Sequence, residues 1–150
     1  MEKTAPRLLI PQLRGFYDRV EPLSWALVRV TAGLMLIPHG WPKLMMGITA
    51  TANMALVKRG IGPAEPLAVI LITLETLGGL CIALGLFTRF FAAMVTIEMA
   101  VIMFAHYLPN GFSWLNRGYE YPLFWGLVML AIALRGGGPY SLDRVLGREL

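Results

Sequence analysis

Four charged side chains sit inside or at the edge of long apolar runs: Arg29, Glu75, Glu98 and Glu120. Each run is about long enough to cross a bilayer, and a charge at that depth costs on the order of 3 kcal/mol even on a lenient insertion scale. A charge kept there needs a partner or a task. Arg29 is suited to orient or polarise a carbonyl oxygen, and Glu75 or Glu98 to exchange protons with a reduced ligand. His39, Lys43 and His106 lie near the ends of the same runs and, with Glu120, form a second polar group close in sequence to Trp41, Trp114 and Asn116. His39, His106 and Glu120 are metal-ligand types, but their spacing matches no metal motif, so no metal is assigned.

Each of these residues also has a plainer reading. Arg29 with Glu75 or Glu98 forms a buried ion pair that locks a bundle. That pairing leaves one carboxylate over, which must be protonated, paired elsewhere or open to a cavity. The histidines can serve as interfacial hydrogen-bonding groups, and Glu120 can complement a helix dipole. The four tryptophans suit the membrane interface and the nine methionines suit packing.

The chain has 150 residues, 57% hydrophobic and 15% charged, against roughly 25% charged in soluble domains. Its mean hydropathy of +0.63 agrees. These values indicate an integral membrane protein with a single domain over residues 1–150. The net charge of +4 comes without a basic stripe interleaved with aromatics, so nucleic acid is not expected as a partner. Cys81 is the single cysteine, which excludes a dithiol relay within the chain. Walker, dinucleotide-binding, zinc-protease and haem-ladder patterns are absent from the sequence. The first apolar run lacks a cleavage site and is expected to remain as an anchor.

The pattern predicts an all-α, polytopic protein: four transmembrane helices in an antiparallel bundle, at about 23–41, 66–87, 90–108 and 119–134. Pro42 is expected to close the first span and Pro109 the third, with Pro122 tolerated in the first turn of the fourth. The tails are 1–22, read as a short surface helix or a mobile segment, and 136–150. Within the latter, Ser141 is a candidate N-cap. The apolar stretch Met45–Val57 is too short to span and fits a re-entrant or surface-lying helix. With both termini cytoplasmic, eight basic residues fall inside (Lys3, Arg7, Arg14, Arg19, Arg89, Arg135, Arg144, Arg148) and four outside (Lys43, Lys58, Arg59, Arg117). That bias favours this orientation. On the first span, Arg29, Gly33, Leu36, Gly40 and Lys43 fall within about 80° of one another, a stripe expected to face protein. The expected layout has a mid-membrane tier of Arg29, Glu75 and Glu98, and an outer tier of His39, Lys43, His106 and Glu120.

These residues resemble those of the DoxX family. The matching pieces are Arg29-x3-Gly33-x5-His39-Gly40-x2-Lys43, then Glu75-x2-Gly78-Gly79-Leu80 through Gly85-x2-Thr88-Arg89. Glu98, His106, Glu120 and the tail Gly138-Pro139-Tyr140-Ser141-Leu142-Asp143 complete the set. The resemblance implies a four-helix protein of the bacterial inner (plasma) membrane. Some relatives look like the membrane subunit of a thiosulfate:quinone oxidoreductase, and others are linked to membrane-associated redox complexes.

The leading expectation is therefore a membrane subunit of a redox system that binds a quinone, with Arg29, Glu75 and Glu98 as the chemical groups. His39, Lys43, His106 and Glu120 would form the outer mouth, and a partner subunit or the substrate would supply electrons. A homo- or hetero-oligomer is expected. The alternatives are a non-catalytic structural or adaptor subunit and a proton-linked carrier of a small solute.

Overall fold

The computed structural model describes residues 8–150. Lys3 and Arg7, two of the basic residues used for orientation, lie outside the described residues. All regular structure among the described residues is helical. A single 3-10 turn at Pro11–Leu13 leads directly into α1, Arg14–Met46. The segment carrying Arg14 and Arg19 is thus the first part of a 33-residue helix, not a separate surface helix. Pro42 does not end α1 either: three prolines lie inside the helix, which stops at Gly47 with φ +89°. Each internal proline removes one ladder bond, a loss that membrane helices tolerate. At this end Thr51 Oγ1 and the Gly47 N–H both donate to the Lys43 carbonyl, each at 3.1 Å.

A short helix α2, Ile48–Ala55, follows where the surface-lying or re-entrant segment was expected. It packs on α3, Ala64–Leu84, through Ala52, Leu56 and Ala68. α3 contains one π turn at Leu74–Gly78. α4 runs from Thr88 to Asn110, with a second π turn at Met103–Tyr107 and a 3-10 end past Pro109. α5 spans Glu120–Arg135 and α6 spans Leu142–Leu146. α1, α3 and α4 are long and apolar enough to cross a membrane. α5 has 16 residues, about 24 Å of helix.

α1 packs along α3, and α4 along α5. The first pair is drawn together by small residues. A Cβ added at Gly33 would lie 2.5 Å from both the Ala83 nitrogen and the Gly79 oxygen, so only glycine permits this backbone approach. The two pairs share a core that includes Leu36, Leu74, Ile82, Val95, Met129 and Ile132. Outside this core, large apolar side chains such as Leu27, Ile97, Phe104 and Leu134 are exposed, as suits helices solvated by lipid.

The C-terminal tail is clamped onto one end of the bundle. Asp143, buried, accepts from the Phe87 and Thr88 N–H groups at 2.7 and 3.0 Å and from Thr88 Oγ1 at 2.7 Å. It thereby caps the start of α4. Ser141 Oγ accepts from the Arg144 N–H at 3.3 Å, the N-cap expected for α6. Arg89 donates to the Ala133, Leu134 and Arg135 carbonyls, satisfying the otherwise free end of α5.

Candidate functional site

The stripe Arg29, Gly33, Leu36 and Gly40 is buried along the α1 face that meets α3. Its two charged ends, however, have different fates. Arg29 is 1% exposed and belongs to the tail clamp. Its Nη1 donates to the Ile82 and Ala83 carbonyls at 2.7 and 2.6 Å, and its Nη2 to the Tyr140 carbonyl at 2.5 Å. Neither Glu75 nor Glu98 pairs with it among the described residues. The expected mid-membrane tier of one arginine and two glutamates is therefore not formed. Arg29 occupies the last turn of α3, where a planar guanidinium spans two unsatisfied helix-end carbonyls.

Glu75 pairs instead with Lys43. The Lys43 ammonium contacts both carboxylate oxygens, joining α1 to the π turn of α3. Gly40 makes room: a Cβ there would lie 2.8 Å from the Glu75 Cβ. π turns insert an extra residue into a helix and re-aim its side chains, and they recur at functional sites. The pair is unequally shielded. The Glu75 side chain is 4% exposed and Lys43 19%, so the ammonium reaches into open space while the carboxylate sits within the bundle.

That space is a cavity of about 430 Å³, within the range of small-molecule sites. His39, Lys43 and Glu75 form its α1–α3 wall, and Met99 and Ile102 of α4 line its flank. Tyr107 of α4, Trp114 and Arg117 of the α4–α5 connection, and Tyr121 and Trp125 of α5 add to the lining. The site thus offers aromatic faces, two cations, an imidazole and a carboxylate around one volume. Such a set can stack a flat ring and hydrogen-bond an oxygen on its rim.

Glu98 stands on α4, one residue before Met99 of the cavity lining. It is 8% exposed, and neither carboxylate oxygen has a hydrogen-bond partner among the described residues. It is the carboxylate left over in the sequence arithmetic, but the cation it is left over from is Lys43 rather than Arg29.

The remaining expected site residues separate. His106, in the second π turn, stacks on Tyr107 with ring centroids 6.3 Å apart and is not part of the cavity lining. Glu120 Oε2 accepts from the Trp114 N–H at 3.1 Å and faces a neighbouring groove. Of the expected outer group, only His39 and Lys43 reach the cavity. Tyr107, Arg117 and Tyr121 were not singled out from the sequence. Tyr107 lies near the end of α4, Arg117 in the connection and Tyr121 in the first turn of α5, and only the packing of these elements brings them to one volume.

Residues 24–108 match the DoxX family. An uncharacterized protein of Haemophilus influenzae is 28% identical over 130 residues, covering 84% of this chain and 92% of that protein. The inner membrane protein YqjF of Escherichia coli is 28% identical over 134 residues, covering 87% of this chain and 98% of YqjF. No solved structure matches.

Proposed function

This chain belongs to the DoxX family and is a multi-pass protein of the bacterial inner membrane; on that premise we propose that it binds a quinone in the cavity beside Lys43 and Glu75, as the membrane subunit of a redox system. The observation that carries this reading is a nearly buried carboxylate, paired with a more exposed ammonium, in the wall of an aromatic cavity of about 430 Å³. The donor set fits a quinone: aromatic faces for the ring, and Lys43 and His39 for a carbonyl oxygen.

A bound quinone supplies two-electron, two-proton chemistry at its carbonyl oxygens. Lys43 orients one oxygen and offsets charge developing on it. Glu75, held by Lys43, takes up or returns the proton at that edge of the ring. Glu98 holds a second proton within the bundle, since an ionised carboxylate without a partner is too costly to keep at that depth. Arg29 takes no part in these steps; it fastens the tail to α3. In this reading all four long helices cross the membrane with both termini cytoplasmic, α5 completing the bundle as a short span. The cavity then opens toward the periplasmic side, and a partner subunit or a substrate delivers electrons.

Quenching of tryptophan fluorescence by a benzoquinone in nanodiscs tests the reading, because Trp114 and Trp125 line the cavity. Saturable quenching that Glu75→Gln and Lys43→Met each weaken roughly tenfold, about 1.4 kcal/mol, is the expected result. Affinities equal to that of the unaltered protein would overturn it.

Glu98 also favours a second reading, a proton-linked carrier that uses the same carboxylate to bind its proton. Proteoliposome flux insensitive to Glu98→Gln removes that alternative.

A further inference from the structure

A second concavity lies beside the cavity, and the two share a wall. It is an open groove of about 570 Å³ formed by the first turns of α5 and the connection before it. Successive residues of a helix advance by about 100°. On α5, Glu120, Phe124 and Leu127 therefore lie on one face, and these line the groove. Pro122, Trp125, Met129 and Ile132 lie on another. Pro122, Met129 and Ile132 are buried, while Trp125 and Pro122 line the cavity. Tyr121 falls at the seam between the two faces. It lines both volumes, and so does Trp114 from the preceding connection.

The chemistry changes across that seam. The cavity side holds Lys43, Glu75, His39 and Arg117. The groove side is apolar apart from Glu120, whose Oε2 is engaged by the Trp114 N–H and so fixes one side of the seam. Phe124 and Leu127 are 60% and 57% exposed, facing the lipid-solvated exterior of the bundle.

Resting on the proposed ring site, we infer that this groove holds the hydrocarbon tail of the ligand whose ring occupies the cavity, with Trp114 and Tyr121 as the doorway between them. The occupant follows from adjacency: the two concavities have Trp114 and Tyr121 in common, so a chain carried on the edge of a ring seated in the cavity has the apolar groove as its nearest apolar surface across those two side chains. The class of ligand is thereby narrowed to a ring with an alkyl or prenyl tail that enters sideways from the bilayer. Lipid chains are as apolar as the groove, so burial from lipid supplies no net hydrophobic gain. The groove acts by shape and by the tether to the ring, and it orients the ring's polar edge toward Lys43.

The test uses the full-length protein in nanodiscs with a benzoquinone bearing a diazirine on a prenyl tail. Photolabelling is expected at Phe124, Leu127 and Phe112, and a tailless benzoquinone is expected to displace it. Leu127→Trp, which fills the groove from an exposed position, should weaken the tailed probe roughly tenfold while leaving the tailless quinone unchanged. Label displaced by the tailless quinone but found on α1 or α4 would overturn the groove while leaving the ring site standing. Equal affinity of the tailed probe for Leu127→Trp and the unaltered protein would do the same. Label that the tailless quinone does not displace would overturn the ring site and this inference together.

Discussion

Lys43 and Glu75 form a two-oxygen ion pair across the α1–α3 interface, and Gly40, one turn from Lys43, is the contact that lets the two helices come close enough to make it. A buried pair of this kind costs desolvation on both sides, so its value appears mainly when one partner is lost.

Removing one charge should therefore cost more than removing both. Glu75→Met leaves an ammonium that is 19% exposed without its partner, and Lys43→Met leaves a carboxylate that is 4% exposed. Each is expected to lower stability by about 3 kcal/mol, with Lys43→Met the more damaging. The double variant Lys43→Met with Glu75→Met should recover most of that loss. Thermal unfolding in detergent of the four proteins checks this cycle, and a double variant as unstable as the sum of the singles would contradict it.

Gly33→Ala should destabilise the bundle by about 2 kcal/mol, because the new Cβ meets backbone atoms of α3 that have no rotamer to yield. Gly15→Ala is the control. No atom lies within 4 Å of its added Cβ, so it should be neutral or slightly stabilising. Unfolding midpoints of both variants measure the difference.

Arg29 and Asp143 should act on the tail and not on the ligand. Asp143→Ala removes three accepted hydrogen bonds at the start of α4, and Arg29→Met removes three donated ones, two at the end of α3 and one to the tail at Tyr140. Each is expected to cost at least about 2 kcal/mol and to speed hydrogen exchange across residues 136–150. Quinone quenching by the surviving folded protein should stay at its original affinity. A selective loss of binding with unchanged exchange would return Arg29 to the site.

Glu98→Gln keeps the shape of the side chain and removes its ability to ionise. The variant should fold and bind quinone normally but deliver the second proton to the reduced ligand roughly tenfold more slowly. A pH indicator followed in time in proteoliposomes reads that rate, and an unchanged rate would remove Glu98 from the proton path.

Much was decided by sequence alone, because it depends on local periodicity. The long apolar runs located α1, α3 and α4, and the positions of Arg29, Gly33, Leu36 and Gly40 told which face of α1 is buried. Ser141 was legible as a cap because capping is a contact within one turn. The extent of α1 was not, since Pro42 lies inside the helix without ending it and the stop falls at Gly47, whose φ of +89° suits glycine. Which charges meet was decided only by tertiary structure. Periodicity fixes the angle of a residue around its helix but not the axial register against its neighbour. The register here sets Gly33 against Gly79 and Gly40 against Glu75. Arg29 and Lys43 are then about 21 Å apart along α1, at opposite ends of one stripe. One end closes the tail clamp, and the other opens onto a cavity whose aromatic wall is assembled from the end of α4, the connection after it and the start of α5, a meeting that no local pattern records.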